Sequence, residues 1–188
     1  MAQALLRKDD GYNRLAITVQ MLHAMVTSGT IEDPERVELI EGELVTMSPT
    51  HLPHARMTAR LIRYLGNSIS ENYEVVDGGS LRLDDYNEPM PDICIAQAGV
   101  TTDVLFSKDC VLVIEVSEST ARNDRLVKSQ LYAKAATAEF WIVDLNTSET
   151  VVHQGPSETG WATVVHVPFG QELVAMFDET VRIVLASA

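Results

Sequence analysis

VLVIEVSESTARNDRLVKSQLYAKAATAEFWIVD, residues Val111 to Asp144, is the stretch whose reading decides the fold. Val111 to Ile114 is an unbroken apolar run, too short to span a membrane and rich in β-branched residues, as befits a strand buried on both faces. It ends at a carboxylate, Glu115. Ser117 to Thr120 supply turn and N-cap chemistry. From about Ala121 to Ala136 the period turns helical, with Leu126, Leu131 and Ala135 falling roughly on one face. Phe140 to Val143 is again strand-like. A strand, a helix and a strand joined this tightly form a right-handed crossover between parallel strands. Glu115 then sits at the carboxyl end of a central strand, the rim where α/β folds place their ligands.

The rest of the chain bounds the answer. Its 188 residues suit one domain, 1–188, with a core of its own. Hydrophobic residues make up 46% and charged residues 22%, near the averages for globular domains, so neither disorder nor a membrane protein is indicated. No apolar run approaches the roughly 20 residues of a spanning helix, and MAQALLRKDDGYNRLA meets charge too early for a signal peptide, so a cytoplasmic protein is expected. Cys94 and Cys110 lie in or beside apolar runs without CxxC spacing, which favours buried, unbridged thiols. A net charge of −13 repels a phosphate backbone at long range, so any DNA binding has to be local, metal-assisted or weak.

Taken in order, residues 1–15 read as a loose N-terminal arm. Thr18 caps a short helix carrying Val19, Leu22 and Val26, with Gly29 as its stop. Arg36 to Met47 alternates about Glu41-Gly42, a hairpin expected to open the sheet, with Glu38, Glu41 and Glu43 on a solvated face. From about Pro53 to Ser70 runs a second helix with Met57, Leu61, Ile62, Leu65 and Ile69 at its core. His54 in its first turn faces a dipole that keeps the ring neutral; it either caps and packs or takes part in a site. Glu74 to Asp85 is strand-like, with Gly78-Gly79 marking a bulge or a close approach of chains. After a turn at YNEPM, Pro91-Asp92 opens the run Ile93 to Ala96. If that run pairs antiparallel with the strand ending at Glu115, the two carboxylates converge. Residues 148–188 form a C-terminal β extension, with strands at Val151 to Gln154, Trp161 to Val167 and Thr180 to Leu185. Trp161 and Phe177 are expected in the core or a subunit contact.

Asp92, Glu115 and Lys128 are the groups that can carry chemistry together. Two converging carboxylates repel, and a hard cation such as Mg²⁺ or Mn²⁺ removes that repulsion, with the backbone carbonyl of Val116 as a further oxygen ligand. Lys128 belongs either to a basic stripe with Arg122 and Arg125 that faces a phosphate, or to a solvated i, i+4 ion pair with Asp124. Spacing alone leaves both open.

Read in order, VELIEGELVTMSP, His54, MPDICIA, VLVIEVSEST, DRLVKSQLYAKA and EFWIVD resemble the bacterial Uma-two family of restriction-endonuclease domains, a branch of the PD-(D/E)XK nuclease superfamily. The resemblance runs from about Thr18 to Val152. It implies an α/β (α+β) restriction-endonuclease-like core, a mixed β-sheet flanked by helices with extra C-terminal strands. In it Pro91-Asp92 corresponds to the PD and Glu115 to the acid of (D/E)XK. Ser117 stands where the superfamily lysine belongs, and the resemblance places that lysine on the following helix, at Lys128. AATAEFW lacks the Gly-x-Pro of relatives, a change confined to a loop. The activity implied is Mg²⁺-dependent hydrolysis of DNA phosphodiester bonds, with Glu43 and His54 as supporting residues and a homodimer or higher homo-oligomer as the working form. The rival readings are a non-catalytic interaction protein that keeps the fold, and an enzyme acting on another phosphate ester.

Overall fold

A computed structural model describes residues 5–7, 13–47, 49–118 and 122–186. In chain order the strands and helices are β1 (Leu5–Arg7), β2 (Asn13–Leu15), α1 (Val19–Thr27), β3 (Val37–Ile40), β4 (Glu43–Thr46), α2 (Leu52–Ser68), β5 (Tyr73–Asp77), β6 (Leu81–Arg82), β7 (Ile93–Gln97) and β8 (Leu105–Phe106). There follow β9 (Cys110–Ser117), α3 (Arg122–Lys134), β10 (Glu139–Asp144), β11 (Glu149–Ser157), β12 (Gly160–Pro168), β13 (Glu172–Val174) and β14 (Arg182–Val184). Among the described residues no helix is long and apolar enough to cross a membrane.

A six-stranded mixed sheet, ordered β12-β11-β10-β9-β7-β5, is the centre of the molecule. β9 and β10 are its parallel pair, with Phe140 opposite Val113 and Ile142 opposite Glu115, as the strand–helix–strand reading of this stretch predicts. β7 runs antiparallel to β9, with Ile93 opposite Ile114. Each strand residue faces the side opposite to its neighbour, so the sheet supports two cores. On one face Met57, Leu61 and Leu65 of α2 pack on Ile93, Ile95, Leu112 and Ile114, joined by Leu173 and Ile183 of the β13–β14 ribbon. On the other, Tyr132 of α3 packs with Cys94, Val113, Phe140 and Ile142. Leu126, expected on the packed face of α3, is 52% exposed. The helix instead turns Lys128, Leu131 and Tyr132 inward, because polar partners await Lys128 there.

Other departures have local causes. The arm contains a ribbon, Leu5 to Arg7 pairing antiparallel with Asn13 to Leu15. The β3–β4 hairpin is a separate two-stranded sheet rather than the opening of the main one. Its turn has φ of 51° at Glu41 and 77° at Gly42, and a Cβ on Gly42 would lie 2.9 Å from the Ala16 Cβ, so glycine is required there twice over. The strand expected over Glu74 to Asp85 breaks at Gly78-Gly79 into β5 and β6, which belong to different sheets. Ser119 and Thr120, expected to help cap α3, and the side chains of Arg122, Asp124 and Arg125, which decide between basic stripe and ion pair, lie outside the described residues.

At the start of β10 the buried Glu139 accepts hydrogen bonds from Trp141 Nε1 and Gln154 Nε2, both at 2.9 Å, and from the Met176 N–H at 2.8 Å. Truncation would leave three donors unsatisfied, so Glu139→Ala is expected to lose about 3 kcal/mol in urea denaturation. Cys94 and Cys110 are buried and free. The hydrogen bond between the two thiols, and then burial, push the Cys94 thiol well above the ordinary thiol range. Labelling of the native protein by a thiol reagent is expected to be slow, accelerating only when urea unfolds the chain.

Candidate active site

The antiparallel register of β7 and β9 pairs Ile93 with Ile114, so Asp92, one residue before β7, falls beside Glu115 near the end of β9. Asp92 is beyond the ladder, where the pleat no longer fixes its direction, and it spans the rim. Its Oδ2 accepts the Val116 N–H at 2.7 Å, and its Oδ1 lies 3.2 Å from His54 Nε2 in the first turn of α2. In an extended strand the N–H and carbonyl of one residue point to the same edge, so the Val116 carbonyl also faces Asp92.

Glu115 points to the opposite side of the rim, toward α3. Its Oε1 accepts hydrogen bonds from Tyr132 Oη at 2.9 Å and from Lys128 Nζ at 3.2 Å. Lys128 and Tyr132 are one helical turn apart and therefore share a face. The Tyr132 ring is held against Phe140 of β10, with centroids 4.8 Å apart. Lys128 Nζ also donates to Glu38 Oε1 at 2.9 Å, and the same oxygen accepts the Met90 N–H at 2.8 Å. A single ammonium thus links the hairpin to β9, with the backbone beside Pro91-Asp92 tied to the same oxygen.

Glu38 was expected on a solvated face and is instead 3% exposed. Alternation fails as a guide on β3 because both of its faces are covered: Leu39 is buried with α1, and Glu38 is buried under Lys128. Glu43, expected to support the site, starts β4 opposite Ile40, two residues nearer the turn on the same face of the hairpin as Glu38. Two residues of the cluster, Glu38 and Tyr132, escaped the sequence reading. Tyr132 had a signal, its i+4 spacing from Lys128; Glu38 had none.

The electrostatics follow from crowding. Burial drives the Glu115 carboxyl up to about 7; Lys128 opposes the rise, Asp92 and Glu38 add to it, and the Tyr132 hydrogen bond offsets a little. His54 was expected to hold a neutral ring through the helix dipole. Its pKa is raised instead, because the hydrogen bond to Asp92 outweighs desolvation, with the charges of Asp92, Glu118 and Glu115 adding to the effect. A carboxylate at 3.2 Å is a closer charge than the diffuse end of a helix.

Two hard carboxylates, one of them raised chiefly by burial, are the kind of donor that suits Mg²⁺ or Mn²⁺, which take one or two protein carboxylates and complete their shell with water and phosphate. Among the described residues no group of three or more His, Cys, Asp or Glu side chains is arranged to hold a metal unaided. Beside Asp92 and His54 opens a cavity of about 690 Å³ between the hairpin, α2 and the start of β7.

The sequence model of the Uma2 family, described as "Putative restriction endonuclease", matches residues 19–182. Comparison with curated proteins returns no match. Among solved structures, the crystal structure of a "putative nuclease belonging to DUF820" from Anabaena variabilis is similar with a TM-score of 0.62 and 12% identity, over 73% of this chain and 79% of that one. At that identity the likeness speaks to the fold.

Proposed function

The chain belongs to the Uma2 family of the restriction-endonuclease type, and from that premise we propose that it hydrolyses phosphodiester bonds of DNA with the help of Mg²⁺ or Mn²⁺ at Asp92 and Glu115. The observation that supports this reading is the placement of Asp92 and Glu115 at neighbouring strand ends on one sheet rim, with the Lys128 ammonium 3.2 Å from Glu115. Asp92, Glu115 and the Val116 carbonyl are the oxygens that would hold the cation, which when bound polarises the scissile phosphate and acidifies a water molecule.

The chain's own groups do the rest. Lys128 brings a fixed positive charge beside the carboxylates, where it stabilises negative charge growing on a phosphoryl group, and it substitutes for the lysine absent at Ser117. Glu38 anchors that ammonium from behind, and Tyr132 fixes Glu115 by its Oε1. His54 holds Asp92 from the α2 side, orienting its carboxylate. Because Glu115 titrates at about 7 without a cation, binding near neutrality expels a proton. Affinity is therefore expected to rise as pH is raised from 6 to 8.

The test is a calorimetric titration of Mg²⁺ and Mn²⁺ into the chain and into Asp92→Ala at both pH values, with cleavage of single- and double-stranded DNA followed in parallel. Cation binding that needs Asp92, strengthens with pH and accompanies cleavage supports the proposal. Absence of binding at millimolar cation, with Asp92→Ala matching the parent on every DNA form, would replace it with the non-catalytic interaction protein.

A further inference from the structure

The cavity beside Asp92 has the wrong chemistry for a duplex backbone. Its walls are largely apolar, with Met47 and Pro49 following the hairpin, Ala59 and Ile62 from α2, and Met90 and Pro91 ahead of β7. The charged side chains that line it are Glu35, Asp77 and Asp92 against Arg36 and His54. The Arg36 guanidinium already donates to the Met47 carbonyl at 3.1 Å, and His54 is engaged by Asp92. Gripping a duplex needs a run of cations along each strand; this lining offers no such run, and the net charge of −13 opposes a duplex at long range. An apolar concavity of about 690 Å³ falls within the usual range of small-molecule pockets. The part of a nucleic acid that it complements is the flat, uncharged base.

Resting on the nuclease reading above, we infer that this cavity receives the base of an unstacked nucleotide, so that the substrate is single-stranded DNA or a strand end rather than an intact duplex. With a base seated against Ala59 and Met90, the adjoining phosphate comes to Asp92 at the edge of the same cavity. Only one or two phosphates then approach the acidic surface, and the repulsion that opposes a duplex is largely avoided. An intact helix would first have to unstack and unpair the nucleotide, at a cost of a few kcal/mol.

The test uses the full chain and Ala59→Phe, a substitution at an exposed helix position that puts a ring into the base-binding part of the cavity and leaves Asp92, Glu115 and Lys128 in place. The probes are a 5′-phosphorylated thymidine dinucleotide and an abasic analogue with the same phosphates, titrated calorimetrically with chelator present so that binding is read without catalysis. The dinucleotide is expected to bind the parent at least about tenfold more tightly than the abasic analogue does, and Ala59→Phe, with an unchanged melting temperature, is expected to lose that difference. With Mn²⁺, a single strand should be cut at least about tenfold faster than its blunt duplex. Equal binding of dinucleotide and abasic analogue, no binding of either, an Ala59→Phe variant that binds as the parent does, or equal cutting of strand and duplex would each overturn the inference. Base-dependent binding lost in Ala59→Phe, without cleavage of any DNA, would keep the pocket and remove the nuclease reading.

Discussion

Glu115→Gln is expected to be more stable than the parent chain at pH 8 without divalent cation, by about 3 kcal/mol, and to have lost cation binding and DNA cleavage. A carboxyl whose folded pKa is raised binds its proton in the folded state over a range where the unfolded chain has released it. Stability contributed by Glu115 is therefore flat below its ordinary value of 4.5, falls as pH rises toward about 7, and is flat again above. The difference of about 2.5 units corresponds to roughly 3 kcal/mol. Glutamine keeps an acceptor for Tyr132 and Lys128 and carries no charge, so it escapes the penalty at pH 8 and gains nothing at pH 4. His54 works in the same direction: its raised pKa gives stability that is complete below 6.5 and lost as pH rises through the folded value. Urea denaturation in chelator at several pH values reads both effects, and a variant no more stable than the parent at pH 8 would show that Glu115 does not bear this penalty. Higher stability together with lost activity is the mark of a site whose charges are assembled at the expense of the fold.

Lys128→Met is expected to have the opposite effect, losing about 3 to 5 kcal/mol. The ammonium is shared by Glu38 and Glu115, and its removal leaves the buried Glu38 carboxylate without a cation, its Oε1 keeping the Met90 N–H at 2.8 Å. It also removes the largest influence holding Glu115 down, so that carboxyl moves further above 7 and cation binding shifts to higher pH. On DNA, the loss of a charge that stabilises the transition state is expected to slow cleavage by about 10² to 10³-fold at saturating cation. Combining Lys128→Met with Glu38→Gln should restore part of the stability without restoring the rate. Additive losses in that cycle would mean that the two side chains do not act as a pair. A rate recovered by Glu38→Gln would mean that Lys128 serves the fold rather than the chemistry.

The same cluster shows where reading the chain runs out. The strand–helix–strand unit was legible because a strand buried on both faces has a run of β-branched residues and no alternation, and because so short a connection leaves parallel pairing as the outcome. The placement of Asp92 and Glu115 at neighbouring strand ends was legible for a related reason: each stands at the end of an apolar run, and antiparallel neighbours bring such ends together. The inner face of α3 was misread. The pattern puts Leu126 on the packed face and leaves Lys128 open between a phosphate-facing stripe and a solvated ion pair, yet the helix turns its lysine inward and leaves the leucine exposed, since two carboxylates from elsewhere in the fold outweigh the burial of one leucine.

What the sequence by itself determined is therefore what depends on neighbours along the chain: the periods of the main strands and helices, the Glu41-Gly42 turn, the Thr18 cap with its 3.2 Å bond to the Met21 N–H, and the two rim acids. What only the tertiary structure decided is the charge network. Glu38 and Lys128 are 90 residues apart in the chain and 2.9 Å apart in space, and the ring state of His54 follows from Asp92 rather than from its own helix. Coulomb interactions and desolvation depend on distance and burial, neither of which a one-dimensional pattern records. An acid that looks solvated by alternation becomes a buried anchor once a second element covers the other face of its strand.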